Sequence, residues 1–369
     1  MRNVTWLLPL ASLAATPVQA AAGQQPWEGV WQGTIGTLPV RACFDQRSDN
    51  WANGSYYYVS KLVPIALRKE SGAGVWTEHD GGAEESGGSW TLSNQDGNHL
   101  SGQWRSGSKS LPVALTRVAA RIKEEGFCAS AEFHGPRVRP IRVTSAAASN
   151  EGIAFTKLTY DVGPAFPDTS ITGFAIREQQ PGDRAINAAL RVDASNPDAD
   201  YLACDRQQVG QNGISGSFAY EAEPALLTSE FVSATISSGG DCGGAHPDDS
   251  TYHRAFDRKT GKPVDLGTWF TARGVKAREA GDTGPYRELT PALRNEVLRH
   301  FKFDEAECRE AVSSADYWDI ALGRTGLSFT PSLPHVAEAC AEPATVPLKD
   351  LSGWLSPAGR EGVGRLAAR

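Results

Sequence analysis

The triplet Gly-x-Trp recurs at Gly74-Val75-Trp76, Gly88-Ser89-Trp90 and Gly102-Gln103-Trp104, 14 residues apart each time. A strand of about 5–6 residues with its turn, repeated antiparallel, gives such a period, so the segment is predicted to be a β-meander. Gly29-Val30-Trp31 and Gly54-Ser55-Tyr56 are further copies at irregular spacing. Asp80-Gly81-Gly82 and Asp96-Gly97-Asn98 fall between the aromatic strands, where Asp-Gly supplies the positive φ that tight hairpins need. Residues 23–120 are therefore expected to form an all-β domain, a small barrel or a sandwich. Its tryptophan column is either a platform for stacking a glycan or other ligand, or the filling of the domain's own core; aromatics on one face of a period-2 strand favour the second.

The composition changes after this segment. Residues 121–152 include Arg137, Arg139 and Arg142 and end in the small, polar run Ser145 to Asn150, which suits a linker. From residue 153 to 369 helical and hairpin signals alternate, which implies an α+β domain. Asp183 is placed to cap a helix carrying Ile186 and Leu190, and Thr290-Pro291 opens another carrying Leu293, Val297 and Phe301. Turns are expected at Asp257 to Gly261 and at Gly323 to Gly326. With about 100–200 residues per domain, the length fits these two domains.

At the N-terminus, Met1-Arg2 precede an apolar run from Val4 to Ala15, then Pro17 and the small-residue exit Val18-Gln19-Ala20. That order is the layout of a secretory signal peptide, assigned to residues 1–22. No later segment approaches the roughly 18 apolar residues of a membrane span. The six cysteines (Cys43, Cys128, Cys204, Cys242, Cys308 and Cys340) are even in number and contain no C-x-x-C pair. Export and an even count together imply disulfides, with Cys43–Cys128, Cys204–Cys242 and Cys308–Cys340 the pairing suggested by their layout. The expected location is periplasmic or secreted.

Charge is unevenly spread. The formal total is −7, with +2 over residues 1–144 and −9 over the remainder. Between Asp193 and Asp249 ten carboxylates face a single base, Arg206. Such a field repels nucleic acid and attracts cationic partners, besides keeping the chain soluble.

No catalytic motif stands. Gly240-Asp241-Cys242-Gly243-Gly244 is similar to the nucleophile loop of chymotrypsin-like proteases with Cys for Ser, but a catalytic thiol needs a converging His and carboxylate. Cys242 has Cys204 as a disulfide partner instead. His246 and His253, beside Asp248 and Asp249, do not match the spacing of zinc or calcium sites, so no metal is assigned and a turn histidine is expected. Serine-hydrolase elbows and nucleotide-binding loops are absent, so no cofactor is assigned and the chain is expected not to be an enzyme.

Several pieces of the second domain keep a recognisable order. Tyr160 to Phe166 precedes Asp183 to Leu190 (DRAINAAL); then come Leu227 to Val232 (LTSEFV), the Gly243-Gly244-Ala245-His246-Pro247 loop, Phe256 to Phe270 (FDRKTGKPVDLGTWF) and Val346 to Leu355. Over roughly residues 153–357 this resembles the RsiV-like extracytoplasmic domain family, found in the lysozyme-binding anti-sigma factor RsiV and beside the catalytic domain of the deacetylase PdaC. The resemblance implies an α+β fold and a protein-binding role toward a lysozyme. The anchor, sigma-binding segment and deacetylase metal motif of those proteins have no counterpart here. The expected function is therefore recognition, and possible inhibition, of a basic lysozyme or muramidase, an immunity protein being one form of it; the alternative is an envelope glycan-binding module or enzyme using the Trp-rich N-terminal domain. Asp241, Gly243, Gly244, His246, Asp248, Asp249 and Tyr252 are the expected partner-binding residues.

Overall fold

The computed structural model describes residues 25–48, 51–70, 74–79, 85–94, 96–120, 126–278, 285–303 and 305–367. The predicted signal peptide and the Asp80-Gly81-Gly82 turn lie outside them. The chain divides into two compact units: residues 1–139 with 163–167 and 203–216, and residues 140–162, 168–202 and 217–369. The helices are α1 (Ala131–His134), α2 (Asp183–Leu190), α3 (Asp200–Asn212), α4 (Pro291–Leu298), α5 (Ala306–Ser314), α6 (Leu348–Leu351) and α7 (Pro357–Ala367).

In the first unit, β1 (Gly29–Ile35), β2 (Leu38–Ser48), β3 (Trp51–Tyr58), β4 (Ile65–Glu70), β5 (Val75–His79), β6 (Glu85–Asn94), β7 (His99–Ser106) and β8 (Lys109–Ala119) form a closed barrel, β8 pairing back onto β1. Of the two architectures the meander allowed, closure selects the barrel and leaves no free edge. The 14-residue repeat sets register: Trp76 lies directly opposite Trp90, and Trp90 opposite Trp104. Trp76 and Trp90 are 2 % and 0 % exposed and pack with Trp31, Phe44 and Tyr56, so they fill the barrel. Among them sits Glu78, whose carboxylate accepts from Tyr56 Oη at 2.6 Å, Gly88 N and Trp104 Nε1 at 2.7 Å, and Trp90 Nε1 at 3.3 Å. Four donors on one carboxylate satisfy a charge that would otherwise be costly to bury.

Of the stretch expected to be a linker, residues 121–125 lie outside the described residues, and residues 127–137 and 142–150 carry helical turns and a strand. Cys128 is bonded to Cys43, and the Asp45 carboxylate accepts from Phe127 N at 2.6 Å and Cys128 N at 2.8 Å. Arg137, taken for a linker base, is 0 % exposed. It donates to Leu62 O, Ala165 O, Ser215 Oγ and the Asp205 carboxylate, and so gathers residues 163–167 and 203–216 into the unit. Asn53 Nδ2 reaches Gly210 O and Ser55 Oγ reaches Gly213 O, satisfying carbonyls at the end of α3. Arg142 to Asn150 is a strand in the second unit, where small polar residues suit an exposed edge as well as they suit a linker.

The second unit has a seven-stranded sheet in the order β15-β14-β13-β12-β11-β10-β9. Its strands are β9 (Arg142–Asn150), β10 (Ile153–Asp161), β11 (Thr169–Ala175), β12 (Ser217–Leu227), β13 (Phe231–Asp241), β14 (Asp248–Asp257) and β15 (Pro263–Val264). Only the β11/β12 contact is parallel. A second sheet runs β16 (Arg287–Glu288), β17 (Tyr317–Leu322), β18 (Gly326–Pro331), β19 (Ala344–Pro347). Ile186 and Leu190 of α2 pack on Phe174, Val232, Ile236 and Phe256; a second core gathers Trp269, Leu293, Trp318, Phe329 and Leu351.

Asp183 does not cap α2. Gly182 occupies the cap position, while the Asp183 carboxylate accepts from Gln179 N and Gln180 N and is gripped by Arg258 at 2.8 and 2.6 Å. Burial works against that charge, but the Arg258 and backbone hydrogen bonds hold the Asp183 carboxyl below its ordinary value. The neighbouring Asp257 pairs with Arg365 of α7 at 2.6 Å. The turn after it closes at Gly261, whose φ of +72° favours a residue without a Cβ. Thr290 does cap α4, its hydroxyl accepting from Leu293 N at 3.3 Å. Among the described residues no helix is long and apolar enough to cross a membrane.

Candidate functional site

The acidic loop singled out in the sequence is the tip of the β13/β14 hairpin. Pairing runs in unbroken register from Phe231 opposite Asp257 to Gly240 opposite Asp248. Hydroxyl pairs brace the arm: Ser237 with Thr251 at 3.0 Å and Ser238 with Ser250 at 3.1 Å. Beyond the strands, the Asp241 carboxylate accepts from Gly243 N at 3.1 Å, and Gly243 takes a φ of +90°. Gly244, His246, Asp248 and Asp249 are exposed.

Strand alternation splits the expected set. Tyr252 and Phe256 turn toward the α2 core, and Ala255 toward the core of the second sheet. With a period of two, Asp248 shares the Tyr252 face while Asp249 shares the face of Thr251, His253 and Ala255. Tyr252 is half-buried and packs against the α2 core.

His253 is a strand residue and not the turn histidine expected. Its Nδ1–H donates to Asp319 on β17 at 2.6 Å, since a carboxylate can only accept, and Asp319 is 2 % exposed. Both residues line a cavity of about 430 Å³ together with Pro263, Asp265 and Arg287. Arg287 is committed elsewhere: it holds Asp265 Oδ1 at 2.5 Å and the carbonyls of Pro285 and Tyr286 at 2.8 Å. Burial, with the Asp319 charge next, raises the Tyr286 phenol above its ordinary value. An imidazole oriented by a buried carboxylate is the arrangement of a general base. No hydroxyl or thiol nucleophile hydrogen-bonds to His253 among the described residues, so the cavity holds half of that constellation.

His246 and His253 engage different partners. The His246 ring stacks on His335 with centroids 5.9 Å apart. His335 and Glu338, 3.1 Å apart, converge with Asp249 so that one ligand atom from each lies within 4.8 Å of the others. Sequence reasoning missed His335, Glu338, Asp319 and Arg287. The only local signal was the i, i+3 spacing of His335 and Glu338.

The thiol nucleophile is excluded. Cys204 and Cys242 are each disulfide-bonded, Cys308 is bonded to Cys340, and no free cysteine remains among the described residues. Such bonds belong to proteins of oxidising compartments.

No protein-family model matches this sequence, and no curated protein does. Two solved structures are similar in outline. One is a DUF3298 family member from Bacteroides fragilis NCTC 9343, at 11 % identity and a TM-score of 0.38, covering 62 % of this chain and 98 % of that one. The other is a DUF3298 family protein from Pseudomonas aeruginosa PAO1, at 14 % identity and a TM-score of 0.35, covering 59 % of this chain and 96 % of that one. At TM-scores below 0.5 these likenesses carry no argument about function.

Proposed function

We propose that this is an exported binding protein, periplasmic or secreted, whose second unit recognises a strongly basic protein of the lysozyme or muramidase class and restrains it, with immunity against a delivered hydrolase as one biological form. The observation that carries the reading is the hairpin tip, where exposed Asp248 and Asp249 stand with Asp241 on an arm braced by hydroxyl pairs. Exposed charges of one sign accelerate encounter with an oppositely charged partner and fix its orientation. The RsiV-like motif order in the same unit supports the choice of partner. The test is binding and inhibition of a panel of muramidases by the purified protein at low and high salt. Saturable binding whose association slows with salt supports the reading. Neither binding nor inhibition at low salt ends it.

A further inference from the structure

The cluster of Asp249, His335 and Glu338 is built from two parts of the chain that are each held in place. Asp249 belongs to β14 and is paired with Gly239 of β13. His335 and Glu338 lie on one 3-10 turn, His335–Cys340, whose last residue is bonded to Cys308 of α5. The three side chains therefore converge from a sheet and from a covalently tethered turn, and not from one floppy loop. An exposed His–Glu pair at i, i+3 contributes little to stability by itself. The His335–Glu338 separation is that of two donors on one ion. Two donors on one tetrahedral ion with bonds of about 2.0–2.2 Å stand roughly 3.3 Å apart. His335 Nδ1 and Glu338 Oε2 are 3.1 Å apart, and one ligand atom from each of the three residues lies within 4.8 Å of the others. The His246 ring stacks on His335 beside this set, with centroids 5.9 Å apart.

We infer that Asp249, His335 and Glu338 form a binding site for a divalent transition-metal ion of the zinc class. Two carboxylates and a neutral imidazole carry the charge that balances a dication. The mixed nitrogen and oxygen set, without thiolate, suits zinc, nickel or copper better than calcium or magnesium, which take oxygen ligands. Asp249 and His335 are exposed, so the ion keeps open positions for water or for a donor from another molecule. The inference shares Asp249 with the muramidase reading, but zinc binding is measured on the protein alone, so either can fail without the other.

The experiment is calorimetric titration of tag-free, chelator-stripped protein with zinc chloride, together with the visible absorption of the cobalt(II) form. About one equivalent of zinc should bind saturably, His335→Gln and Glu338→Gln should each weaken it tenfold or more, and His99→Gln should leave it unchanged. His99 is the right control because it makes an exposed i, i+3 contact with Asp96 without a third ligand. Absence of saturable binding up to millimolar zinc, or binding that survives both His335→Gln and Glu338→Gln, overturns the inference. The two substituted side chains are on the surface, so a folded variant is expected in each case, and circular dichroism checks it.

Discussion

Arg137 and Asp205, 68 residues apart in sequence, form a two-pronged ion pair inside the barrel unit, with Nη1 2.5 Å from Oδ2 and Nη2 3.3 Å from Oδ1. Neither side chain is more than 2 % exposed. Removing one partner of a buried pair leaves the other charge uncompensated. Asp205→Ala should therefore destabilise this unit by about 3–5 kcal/mol. Urea unfolding monitored by tryptophan fluorescence measures it, and a change below about 1 kcal/mol would contradict the assignment.

His134 beside that pair predicts a pH dependence. Its Nε2–H donates to Cys128 O at 2.8 Å, and its Nδ1 lies 2.9 Å from Arg137 Nη1 and 3.1 Å from Asp205 Oδ2. Burial pushes its pKa below the ordinary imidazole value. The unfolded chain takes up this proton near pH 6.5 while the folded chain resists it, so the contribution is complete above about pH 6.5 and is lost as pH falls toward the folded value. Burial opposes the Asp205 charge, yet the contacts with His134 and Arg137 hold its carboxyl low, so its contribution is complete above about pH 3.9 and is lost in stronger acid. Urea midpoints across pH should decline first below about pH 6.5, and His134→Gln should flatten that upper part.

Glu78 is the acceptor on which the barrel's polar aromatics converge. Glu78→Leu strands Tyr56 Oη, two indole N–H groups and Gly88 N, at about 1–3 kcal/mol for each donor left unpaired. Glu78→Gln keeps one acceptor oxygen and should lose less. Thermal unfolding of the two variants gives the order; equal stability of wild type and Glu78→Leu would refute it.

Reduction or removal of the disulfides should act through the unfolded chain. The Cys43–Cys128 bond spans 85 residues and the Cys308–Cys340 bond 32. Loop-closure entropy assigns about 4.5 and about 3.7 kcal/mol to them. Paired Cys→Ser variants followed in urea test whether the longer loop loses more.

Charge reversal at the hairpin tip probes the proposed docking. Asp248→Lys with Asp249→Lys should slow association with a basic muramidase by at least about tenfold at low salt, and change dissociation far less. Stopped-flow or surface-based kinetics separates the two rates. An unchanged association rate would move the contact surface elsewhere.

The order of amino acids dictates the local features. Strand geometry makes a 14-residue recurrence a meander, which is why spacing alone aligns Trp76, Trp90 and Trp104, and the three stand in direct cross-strand register. The Thr290 cap and the Asp257 to Gly261 turn are legible for the same reason, since each depends on a few neighbouring residues. The acidic tip is legible from composition. Features that depend on distant partners arise only when the chain folds. Folding closes the meander into a barrel, turns the supposed linker base Arg137 into a buried tie, and pairs Asp183 with Arg258, 75 residues away. It also gives His253 its carboxylate, Asp319, from 66 residues further on, and brings His335 and Glu338 to Asp249. Local spacing carries no record of such contacts, because the energy that makes them comes from burying surfaces that sequence neighbours do not share.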